Sequence, residues 1–300
     1  MPCVLLVMTL IFVSLILFKK WQSGVVLLAI VLILNSWSEC SPIRLWYRAD
    51  QSHQETLKVM SFNIGGTSSD IHPRVVKLAK LIFDYNPDVL FVAEVSDKNK
   101  PLLDSLLKNI YPCIAYTKGY AHCFYSKLLI DEWHKLEKEG IEHTGIYTCK
   151  APIGNDTIVF FGCHFASNNY TPTKSYITPD SIHDRESLKT YLTDIKQASN
   201  IRLQEAMCLK DSVNHIEYPI LLMGDLNDVG GSPAIKTLEG AGLTDAWWKG
   251  GFGYGATIHH PLPYRIDHIM YSDKLKLLNI KVVDSEGLSD HNALYAEFEI

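Results

Sequence analysis

Short apolar runs that stop at a polar residue recur along this chain. Pro219 to Gly224 is mostly apolar and runs into Asp225, Leu226, Asn227 and Asp228, the pattern of a buried strand ending at a polar edge. Asp225 and Asn227 are two positions apart, so in an extended chain they point the same way. Asp and Asn also favour turns, so this stretch alone leaves a simple turn open. Leu57 to Ile64 alternates apolar and polar residues and predicts a strand ending at Asn63, just before Gly65 and Gly66. Asp88 to Val95 predicts a second buried strand with Glu94 near its end. A glutamate there is costly unless it is paired, bound to a cation or at the exposed strand end. Thr157 to Phe165 predicts a third, carrying His164, where a satisfied core histidine is the alternative to a functional one. Tyr264 to Met270 predicts a strand with Asp267 in its middle, and Leu275 to Asp284 another. Ser289, Asp290 and His291 precede a last strand, Ala293 to Ile300.

Helical spacing fills the gaps. Pro73 suits the first turn of a helix whose Val75, Leu78, Ala79 and Ile82 form one face, and Asn86-Pro87 ends it. Leu102 to Ile110, Arg185 to about Asn214, and Pro233 to Glu239 are the other predicted helices. In the long one, Leu188, Tyr191, Ile195 and Ala198 share a face that Arg202 continues. Arg202 is therefore expected to face inward, toward substrate or into a buried ion pair. Tyr111 to Lys150 reads as several short strands, broken by a charged stretch between Asp131 and Glu142. Asn168 to His183 is long enough to be a functional loop. Gly240 to Pro263 is rich in glycine and aromatics, a composition that lines ligand sites or packs as ordinary turns.

The front of the chain differs. Met1 to Phe18 is uncharged and nearly all apolar, and Gly24 to Leu34 is apolar again after Lys19 to Ser23. A membrane-spanning helix needs about 20 apolar residues, with roughly 17 as the lower limit. Trp21 and Trp37 sit where interfacial anchors would. No basic residue precedes the first run, which argues against a cleaved signal peptide. The expected organisation is a helical membrane hairpin over 1–40, a linker over 41–56 and a folded domain over 57–300. The Lys19-Lys20 loop would be cytoplasmic and the domain extracytoplasmic, although Arg44 and Arg48 weaken that orientation.

Composition narrows the function classes. The chain has 300 residues and a net charge of −5, and from residue 41 onward it keeps 26 basic against 32 acidic residues. That is enough chain for one large α/β domain. A protein that grips long duplex DNA usually carries a basic face, so nucleic acid remains a possible partner without support from charge. The 7 cysteines form no CxxC pair and no zinc spacing, and an odd number leaves at least one thiol free. Nothing in the sequence calls for an obligate protein partner.

The polar residues at the predicted strand ends are the carboxylates of Glu94, Asp225, Asp267 and Asp290, the amides of Asn63 and Asn227, and the imidazoles of His164 and His291. Carboxylate and amide oxygens are hard ligands, suited to Mg2+ or Mn2+ rather than zinc. Taken in order, SFNIGG, VAEV, CHF, GDLND, RIDHI and SDH resemble the motifs of the endonuclease/exonuclease/phosphatase family, the DNase I-like enzymes. The resemblance covers Leu57 to Ile300, and the front of the chain is similar to the anchor of bacterial membrane-tethered members. It implies an α/β four-layer sandwich, with two mixed β-sheets packed face to face, helices outside and the site at one sheet edge. It also implies a metal-dependent phosphoesterase acting on a phosphodiester in a nucleic acid, a nucleotide or a phospholipid headgroup. A phosphomonoesterase and a non-catalytic binding module on the same fold are the alternatives.

Carried over motif by motif, the resemblance makes Glu94, Asn63 and Asp290 metal-side residues. It makes Asp225 the group that orients or deprotonates the attacking water, and Asn227 the amide that positions water and phosphate. His164 and His291 become donors to the phosphate, with Asp267 orienting His291. The chain departs from some nuclease members at Gly65, where they carry an acid, and it lacks their phosphate-touching tyrosine, whose place His164 is expected to take. In the loop before RIDHI, His259, His260 and Tyr264 are candidates for substrate contact, with packing as the alternative.

Overall fold

The computed structural model describes residues 24–25, 56–65, 71–117, 122–131, 133–137, 145–154, 156–168, 185–253, 255–258 and 263–300. The predicted membrane hairpin and linker lie outside the described residues, save Gly24, Val25 and Thr56, as does nearly all of the loop from 168 to 183. Among the described residues no helix is long and apolar enough to cross a membrane.

In chain order the elements are β1 (Thr56–Asn63), α1 (Ile71–Tyr85), β2 (Val89–Ala93), α2 (Lys100–Leu107), β3 (Cys113–Thr117), β4 (His122–Ser126), β5 (His134–Lys135), β6 (Ile146–Ile153) and β7 (Asp156–His164). They continue with α3 (Arg185–Val213), β8 (Ile220–Asp225), α4 (Pro233–Glu239), β9 (Leu243–Asp245), α5 (Ala246–Gly250), β10 (Asp267–Ser272), β11 (Lys276–Val283) and β12 (Ala293–Glu299). One six-stranded sheet has the order β11-β12-β1-β2-β4-β3, and the other β5-β6-β7-β8-β10-β9. Each sheet holds one parallel pair, β1 with β2 and β7 with β8, among antiparallel neighbours. A parallel pair needs a crossover, and α1 and α3 supply the two.

Side-chain alternation sorts the strands into layers. Leu57, Val59, Val89, Phe91, Phe124, Phe160, Leu221, Met223, Ile269, Leu294 and Phe298 form one buried cluster between the sheets. The intervening residues Met60, Phe62, Leu90 and Val92 pack with Val75, Leu78, Ala79 and Ile82 of α1 and Leu103 and Leu107 of α2. On the other side Val159, Phe161, Cys163 and Leu222 pack with Ala206 and Leu209 of α3 and Ile235 and Leu238 of α4. The result is helix, sheet, sheet, helix, the layering that the motif resemblance implied. Among the described residues Cys113, Cys123, Cys149, Cys163 and Cys208 form no disulfide, and all but Cys113 are buried, the usual place of a small apolar side chain.

Two sequence expectations need correction. Asp267 is the first residue of β10, not the middle of a strand. The preceding segment is drawn off because Tyr264 bridges Ile258 and the Thr257 hydroxyl accepts from the amides of both Ile266 and Asp267. Within the glycine- and aromatic-rich stretch lie β9 and the short α5, neither visible in composition. Asp245 ends β9 and caps α5, its side chain accepting from the Trp248 amide at 3.1 Å.

Candidate active site

Alternation also builds the site. Asn63 at the end of β1, His164 at the end of β7, Asp225 at the end of β8 and Asp267 at the start of β10 share parity with the core residues between the sheets. All four therefore point into the open end of the inter-sheet layer. Register brings them level, since Asn63 pairs with Ala93, His164 with Asp225, and Asp225 with Asp267.

Glu94 breaks this rule. Strict alternation from Phe91 and Ala93 would place it on the helix side of β2. Its backbone instead adopts φ 59, a region that costs a non-glycine residue of order 1–3 kcal/mol. The side chain is thereby turned toward Asn63, whose Nδ2 donates to Glu94 Oε1 at 3.0 Å. This is also why β2 stops at Ala93 and not at Val95. Asn227 is likewise left-handed at φ 50, a conformation asparagine tolerates better. Its amide N–H donates to Asp225 Oδ1 at 2.8 Å, and its side-chain Nδ2 donates to Phe165 O at 2.9 Å, which ties the GDLND turn to β7. Gly224, beside Asp225, has φ 153, and a side chain there would meet the Cys163 carbonyl oxygen at 1.8 Å. The glycine of GD is thus required by strand packing.

Asp225 Oδ2 is the hub. It accepts from Asn63 Nδ2 at 3.0 Å, and lies 3.9 Å from His164 Nε2 and 3.8 Å from His291 Nε2. His164 Nε2 is also 3.7 Å from Glu94 Oε1. Behind His291, Nδ1 is 2.8 Å from Asp267 Oδ2. Burial pushes the Asp225 carboxyl above its ordinary range, reinforced by Asp267, against the opposing pull of His291 and His164. For His291, burial alone would lower the imidazole. The Asp267 carboxylate outweighs it, with Asp225 and Asp290 adding to the effect, and His291 is pushed up to about 10. It is therefore held protonated at neutral pH.

That shift has a consequence for stability. A histidine whose folded-state pKa is raised contributes stability that is complete below its unfolded value near 6.5 and is lost as pH rises through the folded value. In chelator, the unfolding free energy of the wild-type chain should fall relative to that of His291→Gln between about pH 6.5 and about pH 10. Urea midpoints measured across that range would check it, and parallel curves for the two proteins would contradict it.

Two groups of donor atoms lie within 4.8 Å of one another, Glu94 with His164 and Asp225, and Asp225 with Asp267 and His291. The first, two carboxylates and an imidazole, fits a divalent cation of hard to intermediate character. Glu94 and His164 are partly exposed while Asp225 is buried, so that group opens to solvent. The like charges of Glu94 and Asp225 are bridged here by one Asn63 NH2 group, the position a cation would neutralise more strongly. The second group is closed, with Asp267 fully buried and its Oδ1 without a hydrogen-bond partner among the described residues.

Several expected roles are revised by placement. Asn63 does not turn an oxygen toward the carboxylates, because its Oδ1 accepts from the Gly65 amide at 2.9 Å. It holds the carboxylates as a donor. Asp290 is exposed and belongs to neither group. Its Oδ1 occupies the space above Gly65, where an added Cβ would come within 2.8 Å of it. Ser289 joins the two loops, its hydroxyl donating to Asn63 O at 2.8 Å and accepting from the His291 amide at 3.1 Å. Arg74 of α1 reinforces the joint by donating to the carbonyls of Leu288 and Ile64.

Arg202 does not face substrate. It is 3% exposed, and its NH1 donates to Ala166 O and Asn168 Oδ1 while Nε lies 3.3 Å from Asp228 Oδ2. It is the buried ion pair that helical spacing left open. Tyr264 is half-buried near Asp225, Arg202 and Tyr191, and burial raises its phenol. His259 and His260 lie outside the described residues.

Other polar residues escaped sequence reasoning. Glu205, fully buried, accepts from the Ala166 amide at 2.9 Å beneath the end of β7, and burial pushes it up to about 8. Its signal was the continuation of the Ala198 and Arg202 face. Asp245, Arg265 and His268 form a buried cluster behind the GDLND turn, with Asp245 Oδ2 at 2.9 Å from Arg265 NH1 and 2.7 Å from His268 Nδ1. His268 Nε2 faces Asp228 O at 2.9 Å. His122, the first residue of β4, lies 3.0 Å from His164 through Nε2 and Nδ1. Only pairing across strands places these residues.

Comparison with known proteins agrees with this fold. The model of the Endonuclease/Exonuclease/phosphatase family matches residues 60–291. Two curated relatives described as 5′-tyrosyl-DNA phosphodiesterase, from Caenorhabditis briggsae and Caenorhabditis elegans, are 30% identical over 95 residues, 30% of this chain and 26% and 25% of theirs. The matched stretch thus spans about a quarter of those relatives' length. Among solved structures, truncated C. elegans TDP2 superposes with a TM-score of 0.58 at 19% identity, covering 82% of this chain and 98% of that one. Humanized D. rerio TDP2 gives 0.62 at 15% identity, covering 82% and 99%. ANGEL2, a 2′,3′-cyclic phosphatase, gives 0.58 at 15% identity, covering 86% and 99%. At these identities the superpositions attest the fold.

Proposed function

Because the chain belongs to the endonuclease/exonuclease/phosphatase family, whose members use divalent metals, we propose that it hydrolyses a phosphodiester by attack of water in a site centred on Asp225. The observation that carries this reading is the sharing of one buried carboxylate oxygen by Asn63, His164 and His291. Glu94, at the open side of the site, and Asp225 beside it are the residues that would hold the cation, with Mg2+ or Mn2+ the candidates. When bound, it would neutralise charge on the phosphoryl and leaving oxygens.

The chain's own groups do the rest. Asp225 takes a proton from the attacking water, held for this by the Asn63 side chain and the Asn227 amide. His291, protonated through Asp267, donates from Nε2 to the phosphoryl oxygens as charge accumulates there. Asp267 fixes Nδ1–H and so the orientation of the ring. Asn63 keeps Glu94 and Asp225 together, and Asn227 locks the turn that carries Asp225.

The relatives' described activity makes a nucleotide diester with an aryl leaving group the first substrate to try. The acidic balance of the chain disfavours long duplex DNA. Hydrolysis of bis-p-nitrophenyl phosphate and thymidine 5′-(p-nitrophenyl) phosphate should appear with Mg2+ or Mn2+ and vanish with chelator. Nucleic acids, phospholipids, 2′,3′-cyclic nucleotides and phosphomonoesters complete the panel. No cation-dependent turnover on any of them would sink the proposal. The two apolar runs within residues 1–40 support a membrane hairpin that holds the domain on the extracytoplasmic side. Membrane fractionation and protease access, with and without that segment, test this separately.

A further inference from the structure

We propose that His122 is a positioning residue that fixes the tautomer of His164, making His164 a hydrogen-bond donor to the substrate phosphate and not a cation ligand. The inference rests on the phosphodiesterase reading for the word substrate, but its geometry stands apart from it.

His122 Nε2 and His164 Nδ1 are 3.0 Å apart, with the rings edge to face at 5.2 Å between centroids. Two ring nitrogens at that distance share one proton, so one imidazole donates and the other accepts. The far side of His164 decides which. Its Nε2 looks at Glu94 Oε1 at 3.7 Å and Asp225 Oδ2 at 3.9 Å. A lone pair there would face two carboxylate oxygens, whereas an N–H is attracted to both. Nε2 therefore carries the hydrogen, Nδ1 accepts, and His122 donates from Nε2. The opposite arrangement would leave Nε2 bare, the form a metal ligand needs. His122, donating from Nε2, thus reinforces the two carboxylates in selecting one of two roles for the same ring.

His122 is built to hold that orientation. It lies 4% exposed at the start of β4, stacked on Phe91 at 6.0 Å and tilted against Tyr147 at 5.4 Å between centroids. Packed rings on two sides restrict its rotation, and the hydrogen bond crosses between the sheets, from β4 of one to β7 of the other. For metal-bound histidines, partners that orient the ring from behind typically contribute about 10- to 100-fold in activity or affinity, and a histidine held for hydrogen bonding is expected to lose a comparable factor.

The test uses the full chain, labelled with 15N and kept in chelator, so that the tautomer is read without any cation. Long-range proton–nitrogen correlation spectra should show His164 with a pyrrole-like Nε2 and a pyridine-like Nδ1. His122→Leu should shift both nitrogens toward a tautomer average. On cation-loaded protein, the same variant should lower kcat by about 10- to 100-fold with little change in KM. His122→Gln keeps an N–H at the matching distance and should restore both the spectrum and most of the rate. A wild-type His164 protonated on Nδ1 would overturn the proposal, as would Leu and Gln variants impaired to the same extent, which would indicate packing alone. If the wild type shows the expected tautomer and the Leu variant loses it while no phosphodiester is cleaved, the positioning link holds and only the substrate reading fails.

Discussion

Replacing Asp225 by asparagine is expected to lower kcat by about 10²- to 10⁴-fold, the range for loss of a positioned general base, while leaving the fold as stable as before or more so. The two halves of this expectation come from the same observation. Asp225 is 2% exposed, and burial has pushed its carboxyl above the usual range. A carboxylate whose folded-state pKa is raised weakens the fold as pH climbs through that value, because the unfolded chain ionises more readily. Asparagine has nearly the same shape and removes the charge, and with its oxygen turned toward the Asn63 NH2 group it keeps that hydrogen bond at the expense of the one from the Asn227 amide. In chelator at neutral pH, the urea midpoint of Asp225→Asn should equal or exceed that of the wild type. With Mg2+ the order should reverse, since ligand-linked stabilisation depends on affinity and the neutral amide binds a cation more weakly. Single-turnover kinetics and urea titrations, each with and without Mg2+, check both halves. A variant that loses activity and stability together in chelator would mark Asp225 as a structural residue.

The second large effect lies behind the site. Arg265→Met should destabilise the chain by about 3–5 kcal/mol, the cost of breaking a buried pair by removing one partner. Arg265 is 1% exposed and its NH1 lies 2.9 Å from Asp245 Oδ2. Burial alone would raise the Asp245 carboxyl. Arg265 more than reverses this, with His268 assisting, and holds it well below the ordinary range. Without the guanidinium, the carboxylate keeps His268 and the Trp248 amide among the described residues. The double variant Arg265→Met with Asp245→Asn carries no unpaired buried charge and retains an oxygen to cap α5. It should recover most of the loss, because apolar replacement of a whole buried pair is often close to neutral. Denaturant unfolding of the two variants decides the matter, and an equal loss in both would assign the effect to volume instead. Because His268 also contacts the Asp228 carbonyl, the single variant should loosen the GDLND turn as well.

Much of the architecture was legible because its signals are local. A strand buried on both faces reads as an apolar run, and such runs at β2, β7 and β8 lay within one or two residues of the observed elements. Proline and Asn-Pro punctuation bounded α1 in the same way. Where the prediction slipped, a distant partner was responsible. Asp267 was placed inside a strand because nothing in RIDHI shows that the Thr257 hydroxyl occupies the two amides before it. Asn63 was expected to offer an oxygen, but the Gly65 amide already holds that oxygen. Arg202 has the same helical spacing whether it meets a substrate or Asp228, and only the packed turn chose Asp228.

The amino-acid sequence by itself determined which residues stand at strand ends and with what parity, since side-chain alternation is a property of each strand alone. It determined the family too, through six motifs in fixed order. The tertiary structure decided which of those ends meet. Glu94 enters the site through a left-handed backbone that alternation would forbid, and His122 reaches His164 only because two sheets face each other. Both depend on contacts between residues far apart in the chain, where position along the sequence carries no information about distance in space.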